Sequence, residues 1–141
     1  MAIGQTELNQ FPILHQMHWD CQQWKSTLHF IDDGIIFMEG LLNTYTFLPN
    51  TPSLFEKIQD YNTQMKNLKK IKAEVRSSLS KHENISGGLM EVYDCKCDGQ
   101  LFQKHDILKA QVADCVERFH TLRSEIYCYA ANILKNRRRR E

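Results

Sequence analysis

From Met17 onward, apolar residues recur at Met17, Cys21, Trp24, Leu28, Ile31, Ile35, Met38, Leu42 and Tyr45, in alternating steps of four and three. That spacing is a heptad seam of the kind found in coiled coils, and it predicts one long helix over about residues 13–47, with Gly34 on the side away from the seam. The stretch LPNTPS at 48–53 then supplies a stop and a new start. Thr51 suits an N-cap, Pro52 suits the first helical position, and Leu54 or Phe55 opens the next apolar face.

The second segment places Ile58, Tyr61, Met65, Leu68, Val75, Leu79, His82 and Leu89 on one seam. Lys72 and Ser86 interrupt it, while Ile71 and Ile85 each sit one residue earlier, the drift expected when a straight helix departs from strict seven-residue spacing. This helix is expected over about 52–94. Ser86-Gly87-Gly88 offers an earlier end, yet Leu89, Val92 and Tyr93 resume the pattern, and CDGQ at 97–100 has the clearer turn chemistry. The third seam is Leu101, His105, Leu108, Val112, Cys115, Phe119, Leu122, Ile126, Tyr129 and Ile133, predicting a helix over about 101–136.

Three long helices joined by short turns run up, down and up, each hiding its stripe against the other two. The expected fold is therefore an all-α antiparallel bundle forming a single domain over residues 1–141. A break at Gly87-Gly88 would make it a bundle of four. Composition agrees: 3 prolines and 6 glycines in 141 residues suit a few long helices better than a sheet.

Eighteen lysines and arginines face 17 aspartates and glutamates, which gives no signature of specific nucleic-acid binding. The apolar stretch from Phe30 to Leu42 contains Asp32, Asp33 and Glu39, too short and too charged for an integral membrane segment. MAIGQTELNQFPIL has no basic region ahead of an apolar core, so a cytoplasmic location is expected, with the five cysteines held as thiols.

The stretches HWDCQQWKSTLHFIDDGIIFMEGLL in the first helix and FHTLRSEIYCYAANIL in the last resemble an uncharacterised group of small helical-bundle proteins from Bacteroidetes. That resemblance implies a bundle and no established activity. The chain is also distantly similar to hemerythrin and ferritin bundles, whose iron ligands are histidines and carboxylates on core faces. The di-iron signature of such bundles, Glu-x-x-His on two helices, occurs here as a single copy, Glu117 and His120, and the seam turns it toward water.

LHQMHWDC at 14–21 brings histidine, aspartate and cysteine into about two helical turns. Met17, Cys21 and Trp24 are assigned to the core, Trp19 and Asp20 away from it or along an interface, and His15 and His18 to the flanks. Reflection through turns centred near residues 50 and 98 sets His18 and Cys21 level with His82 and Cys115. These four form a candidate site for zinc, iron or copper, weighed against Cys21 and Cys115 as small hydrophobes and His82 as a hydrogen-bonded core group.

Trp19, Phe30, Ile36 and Phe37 lie off the seam, which gives the first helix surplus apolar cover and predicts a homodimer through Trp19, Phe30 and Phe37. Cys95 and Cys97 are separated by one residue, unlike redox or zinc hooks. Arg137, Arg138, Arg139 and Arg140 read as a solvated basic helix end. No nucleophile triad or phosphate loop is present. The leading expectation is an interaction or scaffold bundle that is not an enzyme, carries no cofactor and meets a second copy or another protein. A metal-binding bundle is the second reading.

Overall fold

The computed structural model describes residues 2–45, 54–91 and 99–140, with side chains placed over 12–44, 54–87 and 100–135. Three helices, α1 (Ala2–Tyr45), α2 (Leu54–Glu91) and α3 (Gly99–Arg140), form an all-α up-down bundle with no strand among the described residues. α2 runs unbroken through Gly87 and Gly88, so the bundle has three helices and not four. Cross-helix pairs give the directions. Asp32 meets Lys72 while Gln22 meets Glu83, so α1 and α2 are antiparallel. Phe30 meets Phe119 while Phe37 meets Tyr127, so α1 and α3 are parallel.

α1 begins well before the expected start and carries Pro12 inside it. Proline removes one helical donor and crowds the preceding turn, yet the helix continues on both sides of it. The capping residues Thr51 and Pro52, the cysteines Cys95 and Cys97, and the side chains of Arg137 to Arg140 lie outside what is described.

Burial follows the heptads closely. On α1 it selects Leu14, Met17, Cys21, Leu28, Ile31, Ile35, Met38 and Leu42, with Trp24 half-buried on the same stripe. On α2 it selects Leu54, Ile58, Tyr61, Met65, Leu68, Lys72, Val75, Leu79, His82 and Ser86. The expected drift is only partial: Ile71 packs half-buried against the core, but Ile85 does not. Lys72 and Ser86 are buried and Ile85 is 49% exposed, because both polar residues find partners in the seam: Lys72 pairs with Asp32, and the Ser86 hydroxyl donates to the His82 carbonyl at 2.5 Å. A satisfied polar group keeps the strict register at little loss.

Gly34 also departs from expectation. It lies under the ring of Phe119, where a Cβ would overlap Cζ and come within 2.6 Å of Cε2. A residue assigned to the outer side is thus where the α1 backbone lies against the buried aromatic of α3.

The apolar core is divided. A long cluster runs from Cys21 and Leu79 through Phe119 to Leu42 and Leu54. A small one, Leu14, Met17 and Leu101, closes the end next to the α2–α3 connection. Between them lies a layer whose seam positions hold His82 and His105, with Cys21 at its edge.

Candidate metal centre

Each helix contributes a seam residue to this layer: Cys21 from α1, His82 from α2 and His105 from α3. They are 0%, 3% and 7% exposed. One potential ligand atom from each, a thiol sulfur or an imidazole nitrogen, lies within 4.8 Å of the other two. His82 Nε2 is 2.9 Å from His105 Nδ1. On its other side, His105 Nε2 is 2.9 Å from Asp20 Oδ2. Trp24 covers the His105 ring at 4.6 Å between centroids.

The hydrogen-bond directions follow from the acceptor at the end of this chain. An ionised carboxylate only accepts, so His105 Nε2 carries the proton and donates to Asp20. In neutral His105 the Nδ1 lone pair then faces His82, and His82 Nε2–H donates to it. His82 Nδ1 is left as a buried lone pair with no hydrogen-bond partner among the described residues. Unpaired buried nitrogens are uncommon because desolvation is not repaid.

Burial, then the neighbouring charges of Glu83 and Asp20, pushes the Cys21 thiol up to about 11. His82 is held below the usual histidine range by burial first, then by His105 and Lys104. Both groups are therefore neutral near pH 7. The unprotonated His105 Nδ1, a His82 Nε2 freed by moving its proton to the unpaired Nδ1, and a thiol that loses its proton on coordination would form a borderline-soft donor set. Two nitrogens bound to one tetrahedral ion at 2.0–2.1 Å sit about 3.3 Å apart, so the two rings need to open by only about 0.4 Å from the separation observed. Asp20 behind His105 is the carboxylate–histidine arrangement that fixes a ligand's tautomer and raises its basicity.

The expectation of a bundle without a cofactor is overturned by this cluster, a buried set of residues that could hold a metal ion. Its membership also corrects the expected site. Cys21 and His82 belong to it, whereas His18 and Cys115 do not. His18 is exposed on the outer face of α1, beside His15 and Trp19. Cys115 is fully buried ten residues further along α3, about 15 Å of helical rise from His105, near Lys72; burial first, then Asp114, raises its thiol.

The error has a specific source. Reflection at residue 98, taken from CDGQ, set His82 against Cys115, but His82 pairs with His105, so the two helices reflect at positions 93 to 94. His105 was already visible as a polar residue on the α3 seam. Asp20, assigned to the outside, is part-buried against His105. Glu117 and His120 are exposed, and His120 Nδ1 lies 3.0 Å from Arg123.

The expected interface residues Trp19, Phe30 and Phe37 are 57%, 58% and 61% exposed. Phe30 and Phe37 also set ring edges against Phe119 and Tyr127 of α3. No described helix is long and apolar enough to cross a membrane. Comparison with protein families, with curated proteins and with solved structures gives no match, so function must be read from this geometry.

Proposed function

We propose that the protein is a metal-binding helical bundle whose ion is held by Cys21, His82 and His105, with Asp20 as the outer carboxylate. The observation that carries this reading is the convergence of one thiol and two imidazoles from three different helices on a buried layer that interrupts the apolar core. Zinc suits one sulfur and two nitrogen donors best, and iron or copper accept the same types. A fourth position is left for water or another ligand.

The same residues also spell a cysteine–histidine–aspartate set, but an activated cysteine is a partly exposed thiolate of lowered pKa. Cys21 has no exposed surface and its thiol is pushed up to about 11. Binding, rather than thiol catalysis, is what such a cysteine supports. A reducing cytoplasmic setting, which keeps the thiol available, fits this reading.

Scaffolding is a second role supported by the exposed aromatics of α1. Trp19, Phe30 and Phe37 offer a face for a second copy of the chain. It is compatible with an internal metal.

Elemental analysis of protein purified without a metal-affinity column tests the main reading, with about one ion per chain expected. Loading with cobalt should add thiolate-to-metal absorption that disappears in Cys21→Ala and weakens in His105→Ala, while Cys115→Ala keeps it. Metal-free protein that also fails to take up zinc or cobalt in solution would overturn the reading.

A further inference from the structure

On the outer side of the histidine layer, α2 and α3 part into a groove enclosing about 350 Å³, within the range of small-molecule sites. Ile85 and Ile107 form its lips, 49% and 57% exposed, Leu108 and His82 lie deeper, and Lys81 and Lys104 stand beside them. No acidic residue lines it.

The charges distinguish it from a second groove with cationic walls, between α1 and α2. There Lys25 is paired with Glu83 and Arg76 with Asp32, so the positive charge is already neutralised. Neither Lys81 nor Lys104 forms an ion pair among the described residues. Lys104 is close enough to the site to disfavour a proton on His82.

We propose that this groove binds a small amphiphilic carboxylate, its apolar body between Ile85 and Ile107 and its carboxylate between the ammonium groups of Lys81 and Lys104. Branched aliphatic lips facing water bind an apolar chain by removing area from solvent. Two unneutralised ammonium groups select an anionic head over a neutral or cationic one. The site shares a wall with the metal centre through His82 and does not depend on a metal being bound.

Decanoate is a suitable probe, titrated below its micellar concentration into the whole chain by calorimetry, with decanol and decyltrimethylammonium as controls and amide chemical shifts to locate binding. Saturable binding of decanoate is expected, centred on Ile85 and Ile107, in metal-free and zinc-treated protein alike. Both lysines lie at the surface, so Lys81→Glu/Lys104→Glu should fold normally and bind about five- to tenfold more weakly. Equal affinity for decanol, or shifts centred elsewhere, would overturn the proposal. So would absence of binding together with an association state that changes on Ile107→Glu, which would assign the groove to a second copy of the chain.

Discussion

His105 Nδ1 lies 2.9 Å from His82 while its Nε2 lies 2.9 Å from Asp20, so one imidazole links a part-buried carboxylate on α1 to a buried histidine on α2. The link has a direction. Asp20 fixes the His105 tautomer, His105 fixes that of His82, and the open lone pair is passed to the buried end. A metal held by His105 Nδ1 and His82 Nε2 would take the place of the proton between them, which His82 can carry on its unpaired Nδ1 instead, with the Asp20 contact intact.

Asp20→Asn should therefore weaken the site without removing it. A loss of about 10- to 100-fold in zinc affinity is expected, as for other outer carboxylates, with unchanged stoichiometry in competition against a chromophoric chelator. Asp32→Asn, which alters a carboxylate bound to Lys72 and Arg76 away from the site, should leave zinc affinity unchanged. Equal losses in both variants would mean that general destabilisation is being measured.

Zinc affinity should also rise with pH. Cys21 is a thiol until about pH 11, so each ion bound near neutrality displaces its proton, and affinity should climb about tenfold per unit between roughly pH 7.5 and 9. The metal-free protein should show a stability plateau. His82 is depressed below its unfolded value of 6.5, so the unfolded chain binds more protons as pH falls through 6.5 and stability drops. Cys21 is raised above its unfolded value of 9.0, so the unfolded chain binds fewer protons above 9 and stability drops there too. Each proton contributes a slope of at most about 1.4 kcal/mol per unit, measurable by urea unfolding across pH.

The buried Lys72 makes a separate forecast. It is 8% exposed and its ammonium is paired with Asp32, which also accepts from Arg76 at 2.6 Å. Asp32→Ala leaves Lys72 buried without its counter-charge and should destabilise by about 3 kcal/mol. Lys72→Met replaces the charge by an apolar chain of similar length and should lie within about 1 kcal/mol of the parent. Denaturant midpoints at matched m-values decide it, and similar losses in both variants would contradict the ion-pair account.

The fold was legible because steps of four and three are a property of the chain alone: Leu28, Leu68 and Phe119 could be assigned inward without any partner in view, and all three are buried. The site was legible only by halves. Cys21 and His82 follow from their seams, but their partner on α3 depends on the relative register of two helices. Side-chain packing along the two helices sets that register, as the His82–His105 pairing does here. Polar seam residues carried the missing information. Lys72 needed an anion, which is Asp32, and His105 needed an acceptor, which is Asp20. Matching buried polar residues to partners would have set the register that turn chemistry misplaced.

Gly34 tests how tightly that register is held. Alanine in an exposed helix interior is favoured over glycine by about 1 kcal/mol, and at Gly40, where an added Cβ meets nothing within 4 Å, Gly40→Ala should stabilise by that amount. At Gly34 the added methyl would overlap the Phe119 ring. Phe119 is 1% exposed, with Phe30 edge-on and Arg123 over its face at 5.4 Å, so the ring has little room to turn. Overpacking of this kind costs about 1–3 kcal/mol, enough to outweigh the gain in propensity. Gly34→Ala should therefore lower the thermal midpoint while Gly40→Ala raises it. If both variants stabilise, Phe119 does not rest on Gly34, and the α1–α3 register that brings Asp20 to His105 would need to be redrawn.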